Sequence, residues 1–141
     1  MKRHASAIWE GDLQGGKGRM TTQSGALHDK RYDFRSRFED EDGLAGTNPE
    51  ELIAAAHAGC YAMQLSHFLA ENGTPAKKLE ARATVEVKPG EGIKGSALEL
   101  EAEVPDIDPD KFQELAEKAK EECPVSGALS AITITLDAKL V

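Results

Sequence analysis

The run Asn48-Pro-Glu-Glu-Leu-Ile-Ala-Ala-Ala-His-Ala-Gly-Cys60 carries the strongest local instruction in the chain. Asn48 is a good N-cap, because its side-chain oxygen can accept from an orphan amide of the first turn. Pro49 suits the first helical position, where no N–H is needed. Glu51 stands three residues after the cap, as in a capping box. The helix is expected to run to about Glu71, where Asn72-Gly73-Thr74-Pro75 is a stop signal. At 1.5 Å per residue it would be about 35 Å long, and the other elements have to be arranged around it.

Those elements read mostly as strands. Ala5, Ala7 and Trp9 alternate with polar neighbours, a period of two. Gly15, Gly16 and Gly18 mark a turn, and Arg19 to Gln23 continues as a second short strand. Tyr32, Phe34, Ser36 and Phe38 alternate with Asp33, Arg35, Arg37 and Glu39, which predicts a third strand with one aromatic and one charged face. Residues 39–46 form an acidic, glycine-bearing loop. After the helix, Leu79, Ala81, Ala83, Val85 and Val87 share one face of a strand. A turn at 88–92 returns Ile93 to Val104 as its hairpin partner. Asp108 caps a second helix through about Glu122, with Phe112, Leu115, Ala116 and Ala119 inward. Cys123-Pro124 interrupts it, and Ile132 to Leu140 alternates as a last strand. The expected order is β-β-β-α-β-β-α-β, an α+β chain forming one domain over 1–141.

Composition narrows what such a domain does. A length of 141 residues suffices for one core. With aromatics at 5%, that core is built from Ala, Leu, Ile and Val. A net charge of -8 argues against nucleic acid or an anionic membrane surface as partner. No segment approaches the roughly 20 apolar residues of a membrane helix. The basic residues near Met1 have no apolar run behind them, so a signal peptide is not expected. A soluble cytoplasmic protein is the expectation, and with it a reducing compartment in which a permanent disulfide is disfavoured.

That makes Cys60 and Cys123, the only two cysteines, informative. Left to spacing, three readings stay open: inert thiols packed as small hydrophobes, redox chemistry, or a metal site. Metal is the weakest, since no Cys-x-x-Cys or His-x-x-x-His spacing occurs. His57 and His67 lie about 15 Å apart along a helix and read as satisfied core or interface histidines. A nucleophilic thiol needs a positive field. Cys60 sits too deep in its helix to feel the N-terminus and needs a cation, for which Arg37 is the best local candidate and Arg19 and Arg35 are weaker ones. Cys123 can cap a short turn opened by Pro124, but Glu121 and Glu122 oppose a thiolate there. Under the redox reading, charge alone favours Cys60 over Cys123 as the attacking thiol, with Cys123 the resolving one.

The string Gly46-Thr-Asn-Pro-Glu-Glu-Leu-Ile-Ala-Ala-Ala-His-Ala-Gly-Cys60 resembles the signature of the OsmC/Ohr family. So do Trp9-Glu-Gly-Asp12, Gly16-Lys-Gly18, Ser36-Arg-Phe38 and Cys123-Pro-Val-Ser126, in the same order over essentially the full length and closer to the OsmC branch. The resemblance implies an OsmC-like fold of antiparallel sheets with a long central helix, in an intertwined homodimer with active sites at the interface. It implies a thiol-dependent peroxidase acting on organic hydroperoxides in oxidative or osmotic stress defence. Carried over, Cys60 is the peroxidatic cysteine, Cys123 the resolving one, Arg37 the arginine that holds the thiolate and Glu50 the glutamate paired with it. Arg19 is the runner-up for the arginine. An external dithiol reductant is expected, and no cofactor, metal, nucleic acid or membrane. Phe38, Leu44, Tyr61 and Met63 are expected at an apolar entrance.

Helix geometry adds a separate expectation. Glu50 and Cys60 are ten residues apart on one helix, about 15 Å along its axis, too far to share one small site within it. Rows of small residues, Ala54 with Ala58 and Ala55 with Gly59, would let a second helix approach closely. The site is therefore expected to be shared between chains, Glu50 of one facing Cys60 of the other. The rival reading from another class is a redox-sensing or stress-induced binding protein whose thiols switch without turnover.

Overall fold

In the computed structural model, which describes residues 1–141, the chain falls into two units, Met1–Leu52 and Ile53–Val141. Element order is β1 (Ala5–Glu10), β2 (Lys17–Thr22), β3 (Lys30–Tyr32), α1 (Phe34–Phe38), α2 (Pro49–Glu71), β4 (Lys78–Lys88), β5 (Gly92–Glu103), α3 (Pro109–Glu122), α4 (Pro124–Ala128) and β6 (Thr133–Leu140). The fold is α+β, as expected. No helix is long and apolar enough to cross a membrane.

In the first unit, β1, β2 and β3 form an antiparallel sheet in that order, Trp9 lying opposite Gly18 and Gly18 opposite Tyr32. The close approach at Gly18 needs a glycine: a Cβ there would run into the Tyr32 ring and stand 2.8 Å from the Trp9 ring. With that space free, the two rings meet at a centroid distance of 5.5 Å. Asp12 is the turn residue the sequence suggests, its carboxylate accepting from the Gly15 amide at 2.6 Å.

The expected third strand stops at Tyr32. The alternation from Phe34 to Phe38 is short enough to satisfy either period, and local hydrogen bonding decides for a helix. Asp33 accepts from the Ser36 amide at 2.8 Å, and the Ser36 hydroxyl accepts from the Asp33 amide at 2.9 Å. This reciprocal box opens α1. Arg37 is thus a helical residue, not one on the polar face of a strand.

The second unit is a sheet of order β4-β5-β6 with helices on one face. β4 and β5 are the expected antiparallel hairpin, pairing Leu79 with Ala102, Ala81 with Leu100 and Ala83 with Leu98. One pairing differs from an all-antiparallel sheet: β6 runs parallel to β5. The α3–α4 crossover between them makes that possible, since parallel neighbours need a long connection. Inward residues of the sheet meet Tyr61, Leu65, Phe68 and Leu69 of α2 and Phe112, Leu115 and Ala119 of α3. The inward α2 positions recur at three- and four-residue steps, as one helix face requires. Each fully buried Leu or Phe contributes about 1.5–3 kcal/mol. Gly73, at φ +80°, ends α2 at the stop signal read from the sequence.

Candidate active site

Glu50 lies in the first turn of α2. Two interactions set that turn: Asn48 accepts from the Glu51 amide at 2.8 Å, and the Thr47 hydroxyl donates to Glu51 at 2.8 Å. Glu51 therefore turns to Thr47 rather than to the Asn48 amide that a full capping box would use. The Thr47 amide donates to the Arg31 carbonyl at 3.2 Å, folding the 39–46 loop back so that the start of α2 reaches α1.

Arg37 and Glu50 consequently meet. Arg37 Nε donates to both Glu50 carboxylate oxygens at 3.2 Å, and Nη2 donates to Oε1 at 2.7 Å. Glu50 is buried while the Arg37 side chain is 36% exposed. A planar guanidinium held along one edge, through two nitrogens, by a carboxylate keeps its orientation and leaves the rest of its donors for another group. The guanidinium also lies 4.9 Å from the centroid of the Phe38 ring. Beside it, Trp9, Leu13, Tyr32, Phe34 and Phe38 line a cavity of about 290 Å³. Arg19 stands elsewhere in this unit, next to Glu10 and Asp29 on the exposed surface.

Cys60 and Cys123 form the second pair, within the other unit. Cys60 is half-buried in α2, Cys123 is buried at the α3–α4 junction, and both are free thiols. Cys123 ends α3 and precedes Pro124, the first residue of α4, as the sequence suggested. Cys60 packs against the core cluster that contains Cys123, its sulfur beside the Cys123 thiol and the Val125 backbone amide. Burial pushes the Cys60 thiol above its ordinary value, the neighbouring Cys123 adds to that, and the Val125 N–H pulls the other way.

His57 sits one turn before Cys60 and is fully buried. Its Nδ1 is 2.7 Å from Ser96 Oγ on β5, and its Nε2 is 2.9 Å from Ser126 Oγ on α4. Burial lowers its pKa, favouring the neutral ring. Sequence reading expected His57 to be a satisfied core or interface histidine; the structure puts it in the core, with partners the sequence did not indicate. They are 39 and 69 residues away, beyond the reach of any spacing signal. His67, by contrast, is exposed and lies 3.5 Å from Glu71.

The expected entrance residues separate. Phe38 lines the cavity beside Arg37. Tyr61 is fully buried, its hydroxyl reaching the Ala116 carbonyl at 3.4 Å, so it lines no entrance. Leu44 and Met63 are exposed.

Known proteins share this sequence and fold. Residues 39–137 match the family model described as OsmC-like protein. The chain is 45% identical over 141 residues to peroxiredoxin OsmC of Escherichia coli, covering 98% of this chain and 96% of that protein. It is 31% identical over 117 residues to the organic hydroperoxide resistance protein OhrB of Bacillus subtilis, covering 82% and 84%. The crystal structure of Bacillus subtilis OhrB superimposes with a TM-score of 0.63 at 27% identity, over 96% of this chain and 98% of that one. An OsmC-like protein from Mycoplasma pneumoniae shares the fold at a TM-score of 0.74 and 17% identity, over 100% and 98%. By family model, by sequence and by fold, this chain belongs to the OsmC family.

Proposed function

We propose that the protein is a thiol-dependent peroxidase that reduces organic hydroperoxides to alcohols in stress defence, working as one domain over residues 1–141 in the cytoplasm. The observation that carries this reading is the meeting of its only two cysteines, the Cys60 sulfur packed beside the Cys123 thiol in the core of one unit. Named relatives support it, among them a peroxiredoxin and an organic hydroperoxide resistance protein.

In the proposed cycle the Cys60 thiolate attacks the distal oxygen of the hydroperoxide. The O–O bond breaks, the alkoxide takes a proton and leaves as alcohol, and Cys60 becomes a sulfenic acid. The Cys123 thiolate then attacks the Cys60 sulfur; the hydroxyl leaves as water once protonated, and a Cys60–Cys123 disulfide forms. An external dithiol restores both thiols by exchange. Arg37, oriented by Glu50, stabilises the thiolate and the developing alkoxide, an electrostatic role of the kind that dominates many enzymes. The aromatic cavity beside Arg37 gives an organic tail an apolar seat, which hydrogen peroxide has no means to use.

The Arg37–Glu50 pair serves Cys60 across a homodimer in this reading. Two features support it. The ten-residue spacing of Glu50 and Cys60 on α2 exceeds the reach of one small site, and all six residues of β1 are exposed, ready to be covered by a second copy. The Cys60 thiol, raised within its own unit, then receives its activating cation from the partner.

The test is consumption of cumene hydroperoxide and of hydrogen peroxide with dithiothreitol, in wild type, Cys60→Ser and Cys123→Ser. Turnover of the organic peroxide that Cys60→Ser abolishes is the expected result. No turnover above the dithiol blank would contradict the peroxidase and favour a redox switch.

A further inference from the structure

We infer that His57 is a positioning residue, which through Ser126 seats the Cys123–Ser126 segment against Cys60. The inference rests on the peroxidase reading and adds a residue to it. His57 and Cys60 are three apart on α2, so their side chains lie on neighbouring parts of one helix face. Cys123 and Ser126 are likewise three apart, flanking the first turn of α4. The two pairs face each other. Cys60 meets the Cys123 thiol and the Val125 amide, while His57 Nε2 meets Ser126 Oγ at 2.9 Å. The α2–α4 contact is thereby fixed at two points, one of them the reacting sulfurs.

The imidazole suits this task. A neutral ring has one donor and one acceptor nitrogen, and a serine hydroxyl can take either role, so both nitrogens are satisfied whichever tautomer is present. Ser96 Oγ, 2.7 Å from Nδ1, stops the ring from rotating. Ser96 and Ser126 are themselves buried, at 1% and 5% exposure, so water has little access to replace either bond. α4 is only five residues long, and its N-cap residue, Cys123, makes no side-chain cap bond. Such a segment is held by what it touches rather than by its own helix. Removing the Ser126 latch frees the segment that carries both the resolving thiol and the amide on Cys60.

Two consequences follow, neither of which needs peroxide to be seen. The effective concentration of Cys123 at Cys60 falls when Ser126→Ala or His57→Asn removes the latch. The Cys60 thiol also loses Cys123, whose raising effect outweighs the lowering by the Val125 amide, so its ionisation moves to lower pH. His57→Gln places an amide near the position of Nε2, can still pair with Ser126, and is expected to recover most of both effects. His57→Asn places one near Nδ1 and retains only Ser96.

The experiment measures the disulfide equilibrium of each full-length variant against oxidised dithiothreitol, and the pH profile of Cys60 alkylation by iodoacetamide. Thermal melting of the reduced proteins runs alongside. The expected result for Ser126→Ala is a melt close to wild type, disulfide formation weakened roughly tenfold or more, and an alkylation midpoint shifted downward. Under cumene hydroperoxide, the same variant should accumulate dimedone-reactive sulfenic acid and then sulfinic acid at Cys60. A folded Ser126→Ala with the wild-type equilibrium and alkylation profile overturns the inference. So does a His57 series in which Gln and Asn behave alike and only the melt changes, the signature of a merely structural histidine. Absence of peroxide turnover in wild type would instead defeat the peroxidase reading, and the thiol equilibrium would still decide the role of His57.

Discussion

The two units of the chain are held together by different means. In residues 53–141 every large inward side chain has a partner: Tyr61, Leu65, Leu69, Leu98 and Phe112 are all at or near zero exposure. In residues 1–52 no hydrophobic side chain is fully buried, and the buried positions include Gly16, Gly18, Ser36 and Glu50. That unit relies on the Asp33–Ser36 box, the Asp12 turn, the Trp9–Tyr32 contact and the Arg37–Glu50 ion pair. The difference teaches a division of labour. A packed core fixes the thiols, while polar interactions present an arginine and an apolar cavity on a unit that leaves much apolar surface open.

The sharpest way to break this comparison is to empty the core. Phe112→Ala is expected to cost about 3–5 kcal/mol by urea unfolding, since a fully buried ring leaves a cavity among α2, α3 and the sheet. Phe34→Ala, in a half-buried ring on the other unit, should cost much less. Equal losses would show that the first unit has a core after all.

Next in size is Arg37→Lys. Lysine keeps the charge but loses the two-nitrogen contact with Glu50. Turnover of cumene hydroperoxide should fall on the order of 100-fold with little change in unfolding. A variant as active as wild type would remove Arg37 from the site.

Smaller again is the cap. Asp33→Ala should destabilise α1 by about 1 kcal/mol, read by faster hydrogen exchange at the Ser36 amide. The Ser36 amide, followed by Arg31 and the Ser36 hydroxyl, draws the Asp33 pKa below its ordinary value, against a smaller opposing effect of burial. A carboxylate depressed in the folded state adds stability above its unfolded pKa, near 3.8, and that contribution disappears as pH falls through the folded pKa. The difference between wild type and Asp33→Ala should therefore be present at neutral pH and vanish in acid. A difference that persists at low pH would mean the carboxylate is not the cap.

Much of the fold could be read from the chain because its signals are local. Asn48-Pro49 and Gly73 bound α2, the alternation from Leu79 to Val87 marks β4, and Asp108 caps α3. Where signals conflict, reading fails. Three alternating residues after Tyr32 (Phe34, Ser36 and Phe38) fit a strand, but a box closed by Asp33 and Ser36 is worth more than a pattern that short. The parallel partnership of β5 and β6 has no local mark, since it depends on where a crossover ends. The site divides in the same way. Arg37 and Glu50 were legible through the family motif, and they do meet. Tyr61 looked like an entrance residue because its aromatic character is visible and its burial is not. The Val125 amide and the Ser96–His57–Ser126 chain arise from backbone and hydroxyl groups that are unremarkable in sequence. Only a histidine set among small residues hinted at the latter.

The most direct test of the account is the chemical state of the two sulfurs after one equivalent of cumene hydroperoxide. Peptide mass spectrometry of the wild-type protein should find a Cys60–Cys123 disulfide in place of two thiols, and Cys123→Ser should instead carry a dimedone-trapped sulfenic acid on Cys60. A sulfenic acid found first on Cys123, or both cysteines recovered as free thiols after the peroxide is consumed, would contradict it.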